Sequence, residues 1–339
     1  MAEQPDEARE RVSGLIMGAW GTQVIHVAAQ LRLFDALAGG PRAAAELAAE
    51  TGSHPPSLFR LMRALAAIDL VRHLDGDRFE LLPAGELLRT DAPGSVRGMA
   101  LHWGRRLWGA MTQLDQSVRT GAPWRVSGLE GFQQMAQDPA DMAMFHQSMA
   151  DQTLPVARGV AEACDLSGYG RLMDVGGSYG ALLAALLKAY PSLSGEVYDL
   201  AGLSEASTAY LEGQGVGGRA RFVAGSFFES VPAGAGAYLL KSIIHDWDDA
   251  EALQILRNVR AAAAGGAAVL VIEQVAPAQV RPGGGDLVPI RADIMMLTAT
   301  GGKERTVEEY RALFEEAGLA LTRVVPTASA FSVLEAGAA

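Results

Sequence analysis

A chain of 339 residues, 49% hydrophobic and 20% charged, is long enough for two domains and a sizeable core. Its formal charge of −11 excludes nucleic acid or an anionic membrane surface as the main partner, since both need a basic footprint. A single cysteine, Cys164, excludes internal disulfides and fits a reducing compartment, so the cytoplasm is the expected location.

Met1 to Arg9 is polar and acidic, without a basic-then-apolar leader, and the apolar runs are broken by Gly, Pro or charge before the ~20 residues a membrane helix needs. Helical periodicity runs from Leu15 to Leu33, a short helix follows around Ala43 to Glu50, and Pro55-Pro56 with Leu58, Leu61, Leu65 and Ile68 signals a third. Two alternating runs within Leu70 to Leu81, joined at Asp75-Gly76, predict a hairpin. Helices followed by a hairpin make a winged helix over residues 1–100. The wing mixes Arg72 and Arg78 with Asp75, Asp77 and Glu80, a balance that favours dimerisation or a lid over DNA reading. Residues 101–165 read as a helical linker. Trp103, Trp108, Trp124, Phe132, Met135, Met142, Met144, Phe145 and Met149 there are core residues individually, and as a group can line an apolar pocket.

From 166 to 339 strands and helices alternate as in a doubly wound α/β sheet. Strands are predicted at Leu172 to Val175, Glu196 to Asp199, Ala220 to Ala224, Tyr238 to Leu240 and Ala267 to Glu273. A helix at Val307 to Ala317 and runs at Leu319 to Val325 and Ala330 to Leu334 close the domain, and Val280 to Asp286 is the best loop.

The first strand leads into Asp174-Val175-Gly176-Gly177-Ser178-Tyr179-Gly180, a glycine turn that lets a ligand approach the backbone and the start of the next helix. The third glycine of a dinucleotide fingerprint is absent. Asp174 would repel pyrophosphate but suits a cofactor carrying an ammonium and a sulfonium, such as S-adenosylmethionine. Asp199 ends the next strand about twenty residues on, where an acid accepts ribose hydroxyls. Lys241-Ser242-Ile243-Ile244-His245-Asp246-Trp247-Asp248-Asp249 leaves a later strand at the ligand-binding edge of the sheet, with Asp248 or Asp249 available to cap the following helix. Glu273 ends an apolar run, where a charge needs a partner. Glu304 stands in Gly301-Gly302-Lys303-Glu304-Arg305-Thr306, alone a cap residue, but with His245 and Glu273 a base-and-orienter set. A phenol has a pKa of about 10, so a positioned histidine is useful, and a carboxylate on its other ring nitrogen fixes the tautomer.

These segments, in this order, resemble the S-adenosylmethionine-dependent O-methyltransferases of the plant caffeate type and their bacterial relatives acting on phenazines, mitomycin-like compounds and aromatic polyketides. The resemblance implies a Rossmann-like class I methyltransferase sheet behind an N-terminal winged-helix dimerisation domain, and methyl transfer to a phenolic hydroxyl without a metal. It makes His245 the general base, bracketed by Glu273 and Glu304. It assigns Asp174, Gly176, Gly180, Asp199, Ser226, Phe227 and Thr153 to the cofactor, with Lys241 and Trp247 flanking adenine. Phe145, Met149, Asp246 and Met296 fall toward the acceptor. It further implies a homodimer in which N-terminal helices, including Trp20, help close the partner's pocket. The chain departs from the pattern at Ser226, where relatives often carry an acid, at Ala299-Thr300, where plant relatives carry an Asn, and at Tyr179, usually a small residue. Two other readings stand beside it: a relative that keeps the cofactor but has drifted to hydroxylation or decarboxylation, and a winged-helix regulator on DNA.

Overall fold

The computed structural model describes residues 5–124, 138–263 and 265–338. Phe132 and Met135 lie outside the described residues. The chain divides into two compact units, residues 1–109 with 140–151, and residues 110–139 with 152–339, so the stretch 101–165 is shared between them.

In the first unit the helices Ala44–Thr51 and Pro55–Ala67 accompany a three-stranded sheet in the order β1 (Arg42–Ala43), β3 (Arg78–Leu81), β2 (Val71–Leu74). Prolines at the first positions of Pro55–Ala67 cost no hydrogen bond. Its buried Leu58, Met62 and Leu65 pack with Leu33, Phe34, Leu47 and Phe79 in one core. The hairpin turns through residues 75–77, one residue longer than an Asp75-Gly76 turn, because the left-handed φ values fall on Gly76 and Asp77. Arg72 lies opposite Glu80 in the register and is paired to it at 2.8 Å. That pair of opposite charges is thus satisfied within the hairpin.

The helices Pro5–Met17 and Ala19–Gln30 nearly join. Residues 5–30 hold an 18-residue window with a mean hydropathy of 1.2, 17% of it buried, a length and composition that helices of soluble proteins also reach. Val12, Leu15, Ile16, Met17 and Trp20 leave an apolar surface on this stretch.

The second unit holds a seven-stranded sheet, β4 (Arg171–Val175), β5 (Ser194–Asp199), β6 (Ala220–Ala224), β7 (Ala237–Lys241), β8 (Ala268–Glu273), β9 (Leu319–Pro326) and β10 (Ser332–Ala338), in the spatial order β6-β5-β4-β7-β8-β10-β9. β4 through β8 are parallel, and β10 runs antiparallel between β8 and β9. Leu239, Leu240, Val269, Val271 and Ile272 are fully buried, as expected of parallel strands covered on both faces. Two cores form, one on each face. One packs the helices Asp249–Ala262 and Val307–Glu316, and the other packs Ala181–Ala189 with Val156 and Val160 of the helix Pro139–Ala163. Strand order reverses between β4 and β7, which makes the carboxyl ends of those strands the binding crevice.

Candidate active site

Near the end of β4 stands Asp174, 2% exposed, one of whose carboxylate oxygens has no hydrogen-bond partner. Burial pushes its pKa up to about 7, against the opposing pull of a backbone bond from Leu183 and the charge of Lys241. An orphaned oxygen in so buried a carboxylate calls for a cation. Gly176 and Gly180 both take positive φ, 70° and 85°. A Cβ on Gly176 would collide with Ile243, and one on Gly180 would come within 2.7 Å of Val197, so the turn leaves no room for a side chain at either position. Asp199, at the end of β5, accepts backbone N–H bonds on both oxygens, from Ser178 at 2.8 Å and Leu200 at 2.7 Å. The glycine turn and the acid therefore fix one another.

Trp247, 3% exposed, packs edge-on against Phe228 and Phe227, with centroids 4.7 and 5.9 Å away. The carbonyls of Phe227 and Phe228 are held by Asn258. Ser226 spends its hydroxyl on the backbone N–H of Phe228 at 3.3 Å. Lys241 goes elsewhere. Its ammonium donates to Thr153 at 3.1 Å and lies over the Phe331 ring, facing the charges of Glu273, Asp174 and Asp246. Lys241 and Trp247, expected around one ring, thus have different neighbours, because the 3-10 turn Ile244–Asp246 redirects the chain between them.

That turn carries His245. Glu273 Oε1 accepts the N–H groups of Ile243, Ile244 and His245 at 3.1, 3.0 and 3.4 Å, which anchors the turn to the end of β8. Glu304 Oε1 lies 2.8 Å from His245 Nδ1, and Glu273 Oε2 is 3.5 Å from the same nitrogen. The two acids do not bracket the ring; both sit on its Nδ1 side. Nε2 is left toward Asp246, whose nearer oxygen is 3.8 Å away. Burial disfavours a charged His245. The negative field of Glu273, then of Glu304 and Asp246, with the Glu304 hydrogen bond, overrides it and raises the ring to about 10. Burial likewise pushes Glu273 upward and Asp246 up to about 6. The ligating atoms of His245, Glu273 and Glu304 lie within 4.8 Å of one another, but Nδ1 and both Oε1 atoms are already bonded within the protein.

The segment after Glu304 contributes a residue that the sequence pattern does not single out. Arg305 is 1% exposed and donates to the carbonyls of Ile244 and Trp247. Met296 is buried near the end of the helix Leu287–Ala299, and its carbonyl accepts from Thr300 and Gly301. Phe145 belongs to the first unit, where it meets His102 edge-on at 5.5 Å, and Met149 follows on the same helix.

A parallel sheet with a glycine turn, an acid closing it, and a carboxylate-held histidine at the strand edge is the arrangement of a class I methyltransferase. Residues 111–320 match the O-methyltransferase domain model and residues 13–91 the O-methyltransferase dimerisation domain model. The chain belongs to this family and is an S-adenosylmethionine-dependent O-methyltransferase. It is 38% identical to the O-demethylpuromycin-O-methyltransferase of Streptomyces alboniger, over 97% of this chain and 89% of that one. Its fold superposes on the crystal structure of LaPhzM with a TM-score of 0.92, at 34% identity and over 98% and 99% of the two chains. It also superposes on NcsB1, an O-methyltransferase from neocarzinostatin biosynthesis solved with S-adenosylmethionine and 2-hydroxy-5-methyl naphthoic acid, with a TM-score of 0.78, 37% identity and coverage of 94% and 96%. The residues present fit that cofactor: a buried carboxylate with an open oxygen suits its ammonium, and Gly176 and Gly180, both at positive φ, carry the tight strand-to-helix turn at which a ligand approaches the backbone.

Proposed function

We propose that this enzyme methylates a phenolic hydroxyl on a flat, mostly apolar aromatic small molecule, as a tailoring step in secondary metabolism in the cytoplasm, with His245 taking the phenolic proton. The observation that carries the reading is the Glu304–His245 pair, buried at the carboxyl edge of the sheet with Nε2 turned away from both glutamates. Asp174, Gly176, Gly180, Asp199, Phe227 and Trp247 are the residues we assign to holding the cofactor, with Thr153, Lys241 and Ser226 at its margins. The cofactor supplies an electrophilic methyl group on a sulfonium. Phe145, Met149, Asp246 and Met296 are assigned to the acceptor. Two copies of the chain, joined through the N-terminal helices, form the working dimer.

His245 works within a narrow set of states. Glu304 accepts Nδ1–H, so proton exchange is confined to Nε2. With the ring raised to about 10 by its carboxylates, it is mostly imidazolium at neutral pH, so only the neutral fraction takes the phenolic proton and the rate rises with pH toward that value. One proton leaves for each methyl group transferred, and the imidazolium holds it beside three carboxylates until solvent takes it. The test is incubation with labelled S-adenosylmethionine and a panel of polycyclic phenols, alongside the matching methyl ethers, anilines and carboxylic acids. Label in phenols alone, lost by 10²-fold or more in His245→Ala while calorimetric cofactor affinity stays within two-fold, is expected. Turnover undiminished in that variant would remove His245 from its role.

A further inference from the structure

Arg305 heads the fully buried side chains by volume, and it adjoins the glutamate that holds His245. Burying a guanidinium is costly unless its donors are satisfied. Here Nη1 reaches the carbonyl of Ile244 at 2.9 Å and Nη2 that of Trp247 at 2.9 Å, while Nε and Nη2 share Asp249 Oδ1 at 3.0 and 2.8 Å. Ile244 and Trp247 flank His245 and Asp246, so a rigid fork grips the turn at both ends. The chain around Arg305 is pinned in register with that turn. Lys303 N–H donates to the His245 carbonyl at 2.9 Å, a Cβ on Gly302 would collide with that same carbonyl, and Ala276 N–H fixes the Arg305 carbonyl at 3.0 Å. Glu304, between Lys303 and Arg305, therefore meets Nδ1 in a position set by its neighbours' bonds.

We propose that Arg305 is a positioning residue for proton transfer, holding the carbonyls of Ile244 and Trp247 so that the His245 ring stays on Glu304. This rests on the reading of His245 as the base. Loss of the arginine's charge and loss of its shape act oppositely on the ring. Less positive charge near Glu273 and Glu304, with which Arg305 shares the surroundings of Tyr310, favours the imidazolium, whereas a ring that leaves Glu304 loses the bond that favours it. Lysine keeps the charge and lacks the fork, so Arg305→Lys isolates the positioning effect.

The measurement is an NMR titration of the His245 ring in the cofactor-free, full-length protein, for the wild type, Arg305→Lys and Asp249→Asn. Beside it run calorimetry with S-adenosylmethionine and turnover with the best acceptor of the phenol panel. In Arg305→Lys the midpoint of His245 is expected to fall by at least one pH unit and kcat by at least ten-fold, with cofactor affinity and KM within two-fold. Asp249→Asn, altered at a side chain 62% exposed, moves the midpoint the same way by less. A wild-type midpoint in Arg305→Lys overturns the proposal, whatever happens to kcat. If that variant does not fold, Arg305→Gln decides: loss of the positive charge alone raises the midpoint, so a lowered one supports the proposal and a raised or unchanged one overturns it. Active His245→Ala would sink the base assignment and not the titration result, so the two failures are distinguishable.

Discussion

At the scale of single residues, the site is defined by carboxylates kept where ionisation is costly. Asp174 carries a raised pKa of about 7 from burial. The folded protein therefore binds a proton more tightly there than the unfolded chain, and this contribution to stability is full below about pH 4 and lost as pH rises through about 7. The loss amounts to ~4 kcal/mol for a shift of this size. Asp174→Asn avoids it, so in the absence of cofactor its Tm should exceed that of the wild type at pH 8 by more than at pH 5, while its affinity for S-adenosylmethionine falls at least ten-fold. Thermal denaturation at the two pH values and calorimetry check both parts. Glu304→Gln removes one negative charge and a charged acceptor from the His245 ring. The rising limb of kcat/KM against pH, which follows the neutral ring, should move at least one unit toward neutrality. A limb left in place would mean that the ring does not govern the rate.

Asp174, Asp199, His245 and Glu273 were legible in the sequence because each ends a strand or directly follows one, and a parallel sheet puts such residues at its ligand edge. The division of labour between the acids was not legible. Glu273 and Glu304 read as equivalent, yet one mainly accepts backbone N–H groups and the other holds the ring. Only the path of the 3-10 turn decides which. Arg305 escaped because an arginine in a polar segment looks exposed; its one signal was its place directly after Glu304.

At the scale of elements, the parallel strands were read nearly to the residue, since continuous apolar runs bounded by Gly and acids leave little choice of register. β10 was expected at Ala330 to Leu334 and lies at Ser332–Ala338, its small residues Ala336, Gly337 and Ala338 giving the pattern no contrast. The hairpin was recognised but its loop misjudged by one residue, because Asp77 adopts the left-handed conformation after Gly76. The loop 301–306 shows how elements constrain one another. Gly302 lies so close to the His245 carbonyl that a methyl group has no space. Gly302→Ala should lower stability by about 1–3 kcal/mol and displace the catalytic turn. Chemical denaturation, with kcat measured at a temperature where the variant is folded, checks it; full activity would show that the two segments give way independently.

For the whole molecule, the two units carry separate hydrophobic cores. Most of the large apolar residues that the first unit leaves exposed lie on its N-terminal helices, with Leu15 73% and Ile16 71% exposed, within the stretch matched by the dimerisation domain model. A continuous apolar surface of this kind marks an interface. Leu15→Glu with Ile16→Glu should shift the protein from dimer to monomer in sedimentation velocity at micromolar concentration, and a dimer that persists would move the interface elsewhere.

With Asp174 as the cofactor's partner, its orphaned oxygen predicts a link between the enzyme and the metabolic state of its cell. A ligand that binds only the folded form stabilises it by about 2.7 kcal/mol at a hundred times its dissociation constant. Changes of one to two kcal/mol are enough to alter steady-state abundance several-fold through proteolysis of the unfolded fraction. If Asp174 holds the cofactor as proposed, the chain should be protected while the methyl donor is plentiful and exposed to degradation when it runs short. Supply of the donor would then set how much of the enzyme survives as well as how fast each molecule works, and pulse-chase half-lives in methionine-starved and replete cultures, compared with Asp174→Asn, would reveal that coupling.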